Sequence, residues 1–266
     1  MPKSITVCIP SCLNNLEIFI ELMLSISNQT MLPDQILVVV SGKDKTRKHF
    51  EKSIKDLSKF LPKNLNTNFI ISEKFGLSCA RNIGIDNCKS DILIFGDDDD
   101  IWDKNKIYLI HQTILINGTC LVRHRFNNLV EKKIKKASIK FKLQPNIFLT
   151  GISNYVGGGS SISGSTCIFK TLKFSENFYS CEDWDFWLRA YLISIPVMDI
   201  KKELVSYRVH QERMSRNLNT VFFYESLIRI IHLKNISLLM LGLILGFLKS
   251  LFKYLIKTFF RKFFIK

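Results

Sequence analysis

The chain has 266 residues and lacks the marks of several protein classes. Its seven cysteines, Cys8, Cys12, Cys79, Cys88, Cys120, Cys167 and Cys181, are scattered, odd in number and free of any C-x-x-C pair. That pattern argues against a disulfide framework and a zinc site, suits a reducing compartment, and predicts that most of the thiols are small core residues. The N-terminus runs from "MPKS" into a strand-like "ITVCIP" with no charged-then-apolar leader, so no signal peptide is expected. The apolar run at 236–248 is short for a membrane span. There is no internal repeat. Acids are scarce beside bases, 23 against 38, which gives a net charge of +15. Such a surface favours anionic partners: nucleic acid, phosphorylated small molecules or an anionic membrane. Nucleic acid is the weakest of these, because aromatic and basic residues do not interleave on a predicted sheet face and no helix-turn-helix or zinc module appears.

What the chain does have is a hydrophobic content of 47% and a regular alternation in its first half. Short β-branched runs at 5–9, 36–40, 68–71 and 92–95 read as buried strands. Between them, 16–27, 45–60, 77–87 and 104–116 have helical spacing; in the first, Leu16, Phe19, Ile20, Met23, Leu24 and Ser27 share one face. This order predicts a mainly parallel sheet covered by helices, with ligands beyond the carboxyl ends of the strands. The second half is less regular. Residues 119–127 read as a strand, 128–142 as a basic loop or ribbon, and the glycine-rich 157–166 as a flexible turn. Residues 181–194 read as a helix with Glu182 and Asp183 in its first turn, and an extended segment then ends at His210.

Four aspartates, Asp97 to Asp100, follow the fourth predicted strand directly. Carboxylates so close repel one another unless something neutralises them. Two of them at i and i+2 just past a strand can bind Mg²⁺ or Mn²⁺ while the cation grips a diphosphate. An EF-hand loop fails, because Ile101 falls where a third oxygen ligand belongs and no Glu closes the loop. A solvated acidic turn is the remaining alternative, weakened by the neighbouring Trp102 and by the buried strand that aims the run.

The run is one of five segments in a fixed order: "VCIPSCLNNLEIFIELMLSISNQTMLPDQILVVVSG", "GLSCARNIGI", "DILIFGDDDDIWDKNKI", "EDWDFWLRA" and "YRVHQERMS". Together they resemble the family 2 glycosyltransferases, nucleotide-diphospho-sugar enzymes with the GT-A fold, over residues 4–215. The resemblance implies an α/β, Rossmann-like GT-A domain over 1–218, with 219–266 as a basic amphipathic helical tail. It implies a donor site at Pro10, Ser11, Arg81, Asp97 and Asp98, and a Mn²⁺ or Mg²⁺ ion on Asp99 and His210. Asp183 matches the family's general base, with Glu182, Asp100 and Arg208 as possible support; Arg208 and Arg213 are placed to meet phosphates. Asp185 and Glu182 are rivals for the base, and Glu182 reads more readily as a helix cap. Arg81 has a second reading, as a structural arginine bonded to loop carbonyls. A UDP-type donor is implied, although Val40 and Ser41 stand where many relatives carry paired aspartates, and Cys12 and Leu13 where Tyr and Asn are common.

The activity so implied is inverting transfer of a sugar to a hydroxyl of a lipid-linked or cell-surface glycan acceptor, by single displacement. A metal-dependent phosphohydrolase and a non-catalytic binding protein of the same fold are the alternatives. In the tail, Lys249, Lys253, Lys257 and Arg261 recur at i, i+4 on a Phe/Leu/Ile-rich helix, the pattern of a helix lying in a membrane interface. The expectation is a cytoplasmic protein held peripherally on the anionic inner face of the cell membrane. The other reading of the tail is a helix packed on the domain with its lysines in water.

Overall fold

The structure is a computed structural model, and it describes residues 3–42, 45–130, 133–136, 146–209, 218–232 and 237–264. Four strands open the chain, with a helix after each of the first three: β1 (Ile5–Ser11), α1 (Leu16–Ser27), β2 (Gln35–Val40), α2 (Arg47–Leu57), β3 (Thr67–Ile71), α3 (Leu77–Asn87) and β4 (Ile92–Phe95). They pair in parallel in the order β3-β2-β1-β4. The period-2 rule divides β1 between two cores. Ile5, Val7 and Ile9 face Phe19 and Met23 of α1 and Phe50 of α2, whereas Cys8 joins Ala80 and Ile85 of α3 on the other side. Both sides are covered, which is why these strands read as unbroken apolar runs. Asn15 caps α1, its Oδ1 accepting the Ile18 N–H at 3.1 Å.

The second half extends the same sheet. β5 (Ile101–Trp102) and α4 (Lys106–Asn117) follow the aspartates, then β6 (Leu121–Val130) and β7 (Lys133–Lys136), which pair as an antiparallel ribbon. The basic stretch expected as a loop or ribbon is therefore a ribbon as far as it is described. Next come α5 (Ile147–Ile152), a 3-10 turn at Gly159–Ser161, β8 (Ser163–Ser165), α6 (Thr166–Leu172), α7 (Glu182–Leu192) and β9 (Val197–Arg208). β8 lies antiparallel between β4 and β6, and β9 runs parallel to β6. This corrects the reading of 157–166 as a flexible turn: Ser160, Ser161 and Ile162 are fully buried at the middle of the sheet. Glycine and serine serve there because the space is small. The thiols also depart from expectation, since only Cys8, Cys88 and Cys120 of the seven are buried.

The tail forms α8 (Leu218–His232) and α9 (Ser237–Phe264). Ile228 and Leu243 share a core with Phe178, Trp184 and Leu188, so packing continues past residue 218 onto α7. His232 Nε2 and Asp185 Oδ1 lie 2.9 Å apart in the same seam. Further along, α9 keeps one side on α8, with the Tyr254 ring 4.9 Å from that of Phe222, and turns its other side outward. Phe252, Leu255 and Ile256 are exposed beside exposed Lys249 and Lys253. Among the described residues no helix is long and apolar enough to cross a membrane.

Candidate active site

A cavity of about 1130 Å³ opens beyond the carboxyl ends of β1, β2 and β4, where the topology predicts a ligand. Its wall includes Pro10, Ser11, Ser41, Arg81, Asp97 to Asp100, Glu182 and Asp183. Residues from five segments spread over most of the chain thus meet in one place.

Arg81 joins the two acidic motifs. It is 1% exposed; Nη1 donates to Glu182 Oε1 at 2.7 Å and Nη2 to Asp97 Oδ1 at 3.1 Å. The guanidinium also lies 5.1 Å from the Phe174 ring centre. Its partners are carboxylates, not the loop carbonyls of the structural reading. Gly159 makes this approach possible, because a Cβ there would overlap Arg81 Nη2 and stand 2.6 Å from Asp97 Oδ1. Glu182 does not cap its helix: the N-cap residue is Cys181, in the left-handed region at φ 65°, and the Glu182 carboxylate is turned to Arg81. A β-carbon in that region costs about 1–2 kcal/mol, a strain located where the chain turns two acids into the cavity.

The four aspartates have four different surroundings. Asp97 receives Arg81, and its N–H donates to Ser160 Oγ at 2.6 Å. Asp98 accepts the Ser11 hydroxyl at 2.5 Å; burial pushes its carboxyl up to about 6 against that bond, and the Asp99 and Asp97 charges add to the rise. Asp99 lines the cavity and accepts Arg208 Nε at its backbone oxygen, 2.9 Å away. Asp100 is buried and accepts the Arg208 N–H at 3.2 Å, with burial and then its acidic neighbours holding it well above the usual carboxylate range. Arg208 thus braces the run, with Nη2 on Glu21. Behind the run, the buried Lys106 donates from Nζ to the Ser160 carbonyl at 2.8 Å and lies 3.5 Å from the Trp102 ring centre. Burial lowers its proton affinity, while Asp100 and Asp97 oppose that.

Asp183 stands at the second position of α7, half-buried. Its Oδ1 accepts the Trp184 N–H at 2.7 Å and its Oδ2 accepts Asn154 Nδ2 at 3.1 Å. Burial raises its carboxyl to about 7; the Glu182 charge adds to this and Arg81 opposes it. Asp185, its rival, is excluded by partners: Arg189 Nε at 2.8 Å and His232 at 2.9 Å take its two oxygens, away from the cavity. His210 and Arg213 lie outside the described residues.

The site fits a hard divalent cation in chemistry. Its donors are carboxylate oxygens in excess of nearby cations, and Asp100 Oδ2 is buried with no hydrogen-bond partner. Among the described residues no three His, Cys, Asp or Glu already converge on a metal, so substrate oxygens would have to complete its shell.

Sequence reasoning missed Asn154, Lys106, Ser160 and the cavity-lining Tyr207, whose hydroxyl lies 3.2 Å from Ser161 Oγ. For Gly158 and Gly159 a signal existed. Three successive glycines mark a place where side chains from elsewhere need room. Asn154 and Lys106 carry no local signal.

The Glycosyl transferase family 2 profile matches residues 6–169, more than half of the chain. The chain belongs to glycosyl transferase family 2. Among curated proteins, this glycosyltransferase is 24% identical over 201 residues to the UDP-Gal:alpha-D-GlcNAc-diphosphoundecaprenol beta-1,3-galactosyltransferase of Escherichia coli, covering 74% of this chain and 70% of that one. It is 25% identical over 199 residues to an uncharacterized glycosyltransferase of Rickettsia bellii, covering 74% of this chain and 27% of that protein. Among solved structures, it superposes on S. aureus TarS 1-349 in complex with UDP-GlcNAc with a TM-score of 0.68 at 17% identity, covering 94% of this chain and 73% of that one. The glycosyltransferase therefore has the GT-A fold its motifs imply.

Proposed function

We propose that this glycosyltransferase moves a sugar from a nucleotide-diphospho-sugar to a hydroxyl of a lipid-linked or cell-surface glycan, by single displacement with inversion. One observation carries the reading: an acid held near neutrality, Asp183, shares a cavity with an aspartate run at a strand's end. The names of similar proteins support the donor and acceptor classes. The E. coli enzyme is named for UDP-Gal and a diphosphoundecaprenol-linked sugar, and TarS is seen with UDP-GlcNAc.

In this mechanism Pro10, Ser11 and Ser41 border the nucleotide end of the cavity, and Asp97 and Asp98 face the donor's ribose and diphosphate. Asp99, with His210, would hold Mn²⁺ or Mg²⁺, which when bound supplies charge stabilisation to the departing nucleoside diphosphate. Asp183 takes the proton from the acceptor hydroxyl as it attacks the anomeric carbon from the face opposite the diphosphate. A carboxyl raised to about 7 is ionised in a useful fraction at neutral pH and still accepts a proton readily. Arg81 ties Asp97 to Glu182, next to Asp183, and so fixes the donor clamp relative to the base.

The exposed apolar residues of α9 interleaved with lysines support peripheral attachment to an anionic membrane on the cytoplasmic side, where lipid-linked acceptors would be presented. The deciding experiment is a screen of nucleotide sugars with Mn²⁺ or Mg²⁺, following released nucleotide, with Asp183→Asn as the control. Release of nucleoside diphosphate that Asp183→Asn loses supports the reading. Release of inorganic phosphate instead would mark a phosphohydrolase.

A further inference from the structure

Asp183 does not fix its own direction. Asn154 holds Oδ2, and the Asn154 amide is itself fixed. Its Oδ1 accepts the N–H groups of Val156 and Gly157, each at 3.0 Å, and its Nδ2 also donates to the Gly157 carbonyl at 3.1 Å. With its oxygen committed to two N–H donors, the amide presents only N–H to the carboxylate.

Asn154 follows the end of α5 by two residues, so its place depends on where α5 ends. The tail decides that. The Ile152 carbonyl accepts Arg229 Nη2 of α8 at 3.1 Å. In α9, a Cβ on Gly246 would stand 2.5 Å from that same oxygen, and one on Gly242 2.7 Å from the Phe148 carbonyl. Backbone meets backbone there, which only glycine allows. Arg229 joins the two tail helices: Nη1 pairs with Glu225 at 3.3 Å, and Ser250 Oγ of α9 donates to Glu225 at 2.5 Å. The Arg229 guanidinium also lies 4.6 Å from the ring centre of Trp184, whose Nε1 donates to the Thr150 carbonyl of α5 at 2.5 Å. Residue 184 is thus tied to α5 and residue 183 to the turn that follows it, and α5 is held by the tail.

We infer that Asn154 is a positioning residue for Asp183, and that α8 and α9 set its place by clamping the end of α5. The tail is then a working part of the catalytic site as well as a membrane attachment. The inference rests on the assignment of Asp183 as base. The Asn154 N–H favours the ionised carboxyl and holds it in one orientation. Without it the carboxyl is freer to rotate and binds its proton more tightly. The other charged or titratable groups that act on Asp183 are Glu182 of α7, Arg81 of α3, Asp97 after β4, Tyr207 of β9 and Cys181, and a change at Asn154 replaces none of them.

The test uses the full chain with Mn²⁺ and UDP-GlcNAc or UDP-galactose, whichever is turned over, following UDP release. In Asn154→Ala, kcat should fall about tenfold or more, with KM for the nucleotide sugar kept within about twofold. The acidic limb of its kcat profile should move to higher pH. Gly246→Val, placed on the tail side of α5, should reproduce the loss of kcat with KM kept. Arg229→Met, which removes the bond to Ile152 without adding volume, serves if the valine variant fails to fold. Asn154→Ala with the wild-type kcat and pH profile, in a protein that Asp183→Asn inactivates, overturns this inference and leaves the proposed function standing. Full kcat in the folded tail variants overturns the clamp. If Asp183→Asn itself keeps wild-type turnover, the base is misassigned and the inference falls with it.

Discussion

Removing the Arg81 guanidinium should destabilise the protein and uncouple its two acidic motifs. In Arg81→Leu the Glu182 side chain, 8% exposed, loses a 2.7 Å partner and stays buried with a charge; Asp97, 31% exposed, retains water. Breaking one side of a buried pair costs about 3–5 kcal/mol, and most of that cost falls on Glu182 because Asp97 is partly screened. Against a total stability of about 5–15 kcal/mol this is a large fraction. It corresponds to a fall in Tm of about 10 °C for a domain of this size. The penalty comes chiefly from the stranded carboxylate, so adding Glu182→Gln to Arg81→Leu should restore part of the loss. Urea unfolding of the wild type, both single variants and the double variant closes the cycle. A loss below about 1 kcal/mol in Arg81→Leu, or a double variant no more stable than Arg81→Leu, would refute the account of Arg81 as a buried bridge.

Gly159→Ala should lower activity and stability together, because its methyl group displaces Arg81 from Asp97; overpacking of this kind costs about 1–3 kcal/mol, measurable by thermal melts alongside UDP release. Turnover should fall as pH drops through about 7, since Asp183 must be ionised to take a proton, and a profile flat from pH 8 to pH 5.5 would argue against it as base. The same raised affinity has a stability consequence with a definite sign. The folded protein holds the Asp183 proton more tightly than the unfolded chain, so Asp183 lowers stability progressively as pH rises from about 4 through about 7. Asp183→Asn should therefore melt above the wild type at pH 8 and lose that advantage near pH 4. Replacing exposed Phe252, Leu255 and Ile256 with serine should weaken sedimentation with anionic vesicles while UDP release stays unchanged, and undiminished sedimentation would count against α9 as the attachment.

Some of this molecule is a local property of the chain. Apolar runs of four to seven residues separated by segments of helical period make four covered parallel strands wherever they occur, and α1 and α3 lie where periodicity places them. An aspartate run directly after such a strand must lie at the ligand-binding end of the sheet, so its location is legible before any coordinates. The acids of α7 were legible as well, as the start of a helix.

Which acid does what was not legible. Glu182, Asp183 and Asp185 lie within three positions of one another, yet one meets Arg81, one faces the cavity and one is locked between Arg189 and His232. Their directions follow from helix phase and from partners 47 and 101 residues away or on the next turn. The setting of Arg208 against Asp99 and Glu21 is made by β9, and Gly158 and Gly159 read as slack until they are packed against Tyr207 and Arg81. Asn154, with no motif around it, acquires its meaning from the end of α5, and α5 from a tail whose composition reads equally as an interfacial helix or as one packed on the domain. Local sequence sets hydrophobic period and residue chemistry. Charge pairing, burial and the direction of a carboxylate depend on what the fold brings within about 3 Å, a distance that separation along the chain does not encode.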